Sequence, residues 1–141
     1  EEEAALAFMR RSFPGRWAWE VEQHLARGGL REDVMLALEG SAVVGFARIA
    51  GPWSRHFSPG IYWAPRFPGP HGSLGPIGVA AEARGRGIGL ALLSASLAEL
   101  RDRGVASAVI DWTQLVRFYG LVGFRPWMWY LRATMPAGRG G

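Results

Sequence analysis

Apolar side chains return every three to four positions along residues 16–29, RWAWEVEQHLARGG, where Trp17, Val21 and Leu25 share a face with His24. That period predicts a helix, and Gly28-Gly29 ends it. The preceding EEEAALAFMRRSF predicts another, with acids in its first turn and arginines near its end, as a helix dipole favours. Pro14-Gly15 breaks the chain between them. Residues 33–40, DVMLALEG, and 42–50, AVVGFARIA, are strand-like runs joined through Glu39-Gly40-Ser41, which predicts a hairpin. From Gly51 to Gly72 regularity stops in a stretch dense in proline, glycine and aromatic residues. A connection this long in a compact domain is often functional. It reads equally as a flap packed by its own aromatics or as the wall of an acceptor site.

The second half alternates strand and helix. SLGPIGV, residues 73–79, predicts a short strand, and a helix follows from Gly87 to about Arg103. VASAVID, residues 105–111, is an unbroken apolar run and predicts a buried central strand. Asp111 and Gln114 have the spacing of a capping box, which predicts a helix over WTQLVRFYGLVGF, stopped by Gly120 and Gly123. FRPWMWYLRAT, residues 124–134, predicts a last strand, with Trp127 and Trp129 on one face and Met128 and Tyr130 on the other. Residues 135–141 read as a flexible tail. The order predicts a single domain over 1–134 of α/β class, with a mixed α+β sheet flanked by helices.

Composition narrows the function. The 141 residues are 49% hydrophobic and 20% charged, as in a soluble globular domain. No apolar run approaches the roughly 18 residues that span a bilayer, and the acidic opening is unlike a signal peptide, so no membrane is expected and the cytoplasm is. Cysteine is absent, which excludes disulfide and thiolate chemistry. Every basic residue is arginine, and asparagine is also missing, a bias that thermal selection and a GC-rich genome both produce. The net charge of +4 is carried by scattered arginines with no dense run, so no nucleic-acid partner is expected. His24 has no second ligand one helical turn away, so it reads as a core-edge residue, and no metal is expected.

The chemistry concentrates in EARGRGIGLALL, residues 82–93. Glycines and arginines crowd the start of a helix that follows a strand. Unpaired amides and the helix dipole there favour an anion, glycine lets a phosphate approach, and arginine adds a charged fork. A P-loop needs a lysine, and none exists. The G-x-G-x-x-G fingerprint fails because its third glycine falls on Leu90 or Leu92; Asp111, ending the next strand, keeps a dinucleotide fold as a minor alternative.

The surviving pattern, Arg84-Gly85-Arg86-Gly87-Ile88-Gly89, together with RFYGLVGF about thirty residues later, resembles the GNAT superfamily of acetyl-coenzyme A-dependent N-acyltransferases. The paired first helices and the hairpin agree in order. The resemblance implies acetyl-CoA as cosubstrate, with Arg84, Gly85, Arg86, Gly87, Ile88 and Gly89 on the pyrophosphate. It implies Ile77, Gly78 and Val79 beside the pantetheine arm, on a strand that splays from its neighbour. An amide near Ile77 would polarise the thioester carbonyl, and Tyr119 would protonate the departing thiolate. It implies direct attack by a primary amine on a small molecule or peptide. The base is unassigned, with His71 the candidate nearest that strand; Glu39 reads as solvated and Asp111 as a helix cap. The sequence departs from the pattern in lacking a strand before the paired helices, a second strand after GF, and an asparagine near Trp112-Thr113. A homodimer or a second domain is the expected partner to complete such a sheet. The other reading is a non-catalytic acyl-CoA-binding or partner-docking domain.

Overall fold

A computed structural model describes residues 2–55, 58 and 60–134. The two opening helices form as the pattern predicts, α1 at Glu2–Ser12 and α2 at Arg16–Ala26, with Gly15 between them at φ 100°. The hairpin is β1, Val34–Glu39, and β2, Ala42–Ala50. A single 3-10 segment, Ile61–Arg66, interrupts the long connection to β3, His71–Val79. A crossover helix, α3 at Ile88–Asp102, leads to β4, Ser107–Val109, and a short α4, Val116–Gly120. The sheet order is β1-β2-β3-β4, antiparallel twice and then parallel.

Alternation along β2 divides the core between the two faces of the sheet. Phe46 packs with Phe8, Met9 and Val21 under α1 and α2. Ile49 packs with Leu74, Leu93, Leu100 and Tyr119 under α3 and α4. Each such buried side chain contributes about 2 kcal/mol by removal from water.

Asp33 ties the elements at one end. Its Oδ1 accepts from Trp53 Nε1 at 2.9 Å and from an Arg103 Nη at 2.8 Å, while the Arg103 guanidinium lies 4.9 Å from the Trp53 ring centre.

The register explains where the sheet opens. Between Ala47↔Ile77 and Ile49↔Leu74, the single residue Arg48 faces two residues of β3, Gly75 and Pro76. That is a bulge, and bulges bend the strand that carries the extra residue. β3 meets β4 at three positions only, His71↔Ser107, Gly72↔Ala108 and Ser73↔Val109. Beyond the bulge it stays paired with β2 at Ile77, Gly78 and Val79 but has no partner on its β4 side among the described residues, which leaves a gap there.

Several expectations fail in this second half. Residues 105–111 do not make a buried central strand; β4 is three residues long and borders the sheet among the described residues. Asp111 does not cap a helix. α4 begins five residues later, and it is Thr113 Oγ1 that accepts from the Leu115 amide, at 2.9 Å. Residues 124–134 form no strand. Pro126 has no amide to donate, and rings hold the segment instead: Trp127 stands edge-on to Trp63 at 5.3 Å and to Phe67 at 5.1 Å. The expected tail, 135–141, lies outside the described residues.

Candidate active site

The start of α3 is bare backbone. Gly87 caps the helix at φ 80° with no side-chain hydrogen bond, and Gly85 sits at φ 75°. Both conformations strain any residue with a Cβ. A Cβ at either position would meet nothing within 4 Å, so the space above the loop is open to a ligand. Gly89 faces inward, where a Cβ would stand 3.6 Å from the Phe118 ring, and serves helix packing. Arg84 turns back, its Nε donating to Val79 O at 3.0 Å. Arg86 reaches across to Glu39 with two hydrogen bonds, and that guanidinium holds the Glu39 carboxyl below its ordinary range. Glu39 is therefore paired with Arg86.

The bulged half of β3 leads from this loop into the gap. The Ala80 amide donates to Val44 O at 2.9 Å, so Gly78, two residues earlier, also turns its peptide groups toward β2. By alternation Ile77 and Val79 present theirs to the gap. Of the strand residues expected to line a donor, Ile77 and Val79 thus offer amides there and Gly78 does not.

Tyr119, on α4, lies at the far side. It is 7% exposed, packed edge-on to Phe118 and Phe124. Burial pushes its phenol above the ordinary value, because the phenolate loses its hydration. Its hydroxyl has no hydrogen-bond partner among the described residues and it lines a cavity of about 590 Å³ bordered by β4 and residues 123–132.

His71 is placed differently. It is 3% exposed; one ring nitrogen bonds Ser107 Oγ at 3.1 Å and the other bonds Gly60 O at 3.0 Å, with the ring stacked on Phe67. Both nitrogens are engaged in tying the long connection to β3 and β4, and neither is open to a substrate.

Asp111, read from the sequence as a helix cap, has a different set of partners in the structure. Its Oδ1 accepts from Tyr62 OH at 2.6 Å, Trp63 Nε1 at 2.9 Å and Tyr130 OH at 3.1 Å. Burial and then this carboxylate push the Tyr62 phenol upward, so it remains a donor. Asp111 Oδ2 accepts no hydrogen bond among the described residues. Asp111 lines the cavity that holds Tyr119 and also a second one of about 380 Å³. The second cavity is walled by α2 and Tyr62, with Arg48 of β2 in its lining. Arg48 lies on the same side of β2 as Phe46, the α1–α2 side, whereas Tyr119 packs on the α3 side.

The acetyltransferase (GNAT) family model matches residues 2–124. A mycothiol acetyltransferase of Parafrankia sp. is 44% identical over 62 residues, 41% of this chain and 19% of the relative. The one from Thermobispora bispora is 32% identical over 138 residues, 90% of this chain and 44% of the relative. The chain thus spans less than half the length of these curated relatives. Among solved structures, a GCN5-related glucosamine N-acetyltransferase region in a fungal multi-domain GH3 β-N-acetylglucosaminidase superposes with a TM-score of 0.80 at 30% identity, over 90% of this chain and 16% of that one. AAC(6′)-Iy with a bisubstrate analogue superposes at 0.64 over 96% of this chain and 92% of that one; at 18% identity it speaks for the fold alone.

Proposed function

This chain belongs to the acetyltransferase (GNAT) family, and from that premise we propose that it transfers the acetyl group of acetyl-CoA to a primary amine of a small molecule. The observation that carries the reading is the second half of β3, which has no β4 partner among the described residues, leads toward the uncapped start of α3 and packs Ile77 against the cluster that contains Tyr119. The amides of residues 85–89, with Arg84 and Arg86, hold the pyrophosphate. The Ile77 and Val79 peptide groups pair with the pantetheine arm, and the Ile77 amide donates to the thioester oxygen as charge develops there. The ammonium first gives a proton to water, the neutral nitrogen then forms its bond to the carbonyl carbon, and its second proton also passes to water, from which Tyr119 is reprotonated after the step. The C–S bond breaks, and the Tyr119 hydroxyl passes its proton to the sulfur. Relatives named for mycothiol and glucosamine acetylation support an acceptor of amino-sugar size.

The test is thiol release from acetyl-CoA over a panel of primary amines. Tyr119→Phe is expected to lower kcat about 100-fold with KM little changed, as loss of a general acid does. Unchanged turnover removes Tyr119 from the acid role. If coenzyme A leaves the melting temperature unmoved, the donor site itself is refuted.

A further inference from the structure

The cavity under α2 contains a buried guanidinium that Glu20 and Asp33 influence only at a distance, without a direct ion pair among the described residues. Arg48 is 5% exposed, and no carboxylate lies within salt-bridge distance of it among the described residues. The nearest acids are committed elsewhere. Glu20 bonds Arg16 Nε at 2.5 Å, and Asp33 is taken by Trp53 and Arg103. Among the described residues Arg48 Nε has no hydrogen-bond partner, and the side-chain contact recorded for the guanidinium is a long 3.5 Å approach of an Nη to His24 Nδ1. His24 Nε2 donates to Leu30 O at 2.8 Å and lies 3.8 Å from Asp33 Oδ2, so the imidazole offers Arg48 no negative charge. Burying an unpaired guanidinium costs several kcal/mol, a cost an arriving anion removes.

The lining of the same cavity also includes the carboxylate of Asp111, along with Glu20, Arg16 and Arg27. Asp111 is fixed through Oδ1 by three neutral donors, and Oδ2 accepts no hydrogen bond among the described residues. It also borders the cavity of Tyr119, so Asp111 is common to the linings of both cavities.

We propose that this cavity is the acceptor subsite and that it selects a zwitterion: a compact primary amine whose ammonium sits on Asp111 and whose carboxylate or phosphate sits on Arg48. The inference rests on the acetyltransferase reading above. At about 380 Å³ the cavity admits one small polar molecule rather than a protein segment. A fixed carboxylate and a buried guanidinium in one lining read both charges at once, and an amine without the anion leaves Arg48 unpaired.

The experiment compares matched amines in thiol release: glucosamine 6-phosphate against glucosamine for a phosphate, and serine against serinamide for a carboxylate. At least one anionic member is expected to exceed its neutral partner about tenfold in kcat/KM, the scale of one buried charge-assisted contact. Which pair separates names the anion. Arg48→Met is expected to erase that preference, so that the anionic and neutral members turn over alike, with the coenzyme A melting shift kept and an equal or higher melting temperature. Asp111→Asn is expected to raise KM for both members of a pair. The same amines are added to the coenzyme-loaded protein in a melting assay. Stabilisation by the anionic member without turnover sustains the subsite and overturns the catalytic reading. Equal behaviour of both members in both assays, or a preference that survives Arg48→Met, overturns the subsite while the donor reading stands.

Discussion

Arg86 and Glu39 close on each other beside the loop that is to receive a pyrophosphate. An exposed pair of this kind is weak, yet it competes with any anion that needs the same guanidinium. Glu39→Gln is expected to tighten coenzyme A about two- to threefold at low salt, an effect that vanishes at high ionic strength, as titration calorimetry would measure. Tyr119 makes a pH prediction with a definite sign. Burial disfavours the phenolate, so the proton-donating form persists above the ordinary tyrosine value of about 10. The alkaline fall of kcat is therefore expected only beyond that pH. A fall centred below it would assign the limb to another group. At this scale the sequence disclosed the glycine loop, since a local run encodes it. It concealed the partners of Asp111, because Tyr62 and Tyr130 stand 49 and 19 residues away and only folding brings them together. The spacing to Gln114 supplied a plausible local partner, and the tertiary one prevailed.

Among the elements, the long connection is the one whose role changed most between pattern and structure. It is fastened to β3 by His71 on Gly60 O and by Ser58 on Ser73 through their hydroxyls. Fastened there, it delivers Tyr62 and Trp63 to Asp111. Gly60 makes the joint feasible: at φ 91°, a Cβ would stand 2.8 Å from Ser73 Cβ and 3.2 Å from Val109 O. Gly60→Ala is expected to cost about 2 kcal/mol or more in urea unfolding, from backbone strain and crowding together. A change below about 0.5 kcal/mol would show that the joint yields freely. The helices and the hairpin were legible because their periods are local. The strands after α3 were not, because a strand also needs a neighbour's ladder. Residues 124–134 alternate as a strand would, yet ring packing and Pro126 hold them off β4.

For the molecule as a whole, order along the chain implied a mixed sheet with helices on both faces, and that much holds. The bulge at Gly75-Pro76 was less accessible, since it is a mismatch of register between β2 and β3 rather than a property of either run. Its consequence reaches the dynamics of the entire fold. Three ladder positions join β3 to β4, so the sheet is thinnest where the reaction is proposed to occur. There the Ile77 and Val79 amides have no strand to shield them from deuterium, while Gly78 is already shielded by β2. Coenzyme A is expected to slow exchange at Ile77 and Val79 and to leave Gly78 unchanged, read amide by amide by NMR. The donor then acts as a removable splint. The protein is most rigid while loaded and loosens each time the spent coenzyme departs, so stiffness cycles with turnover.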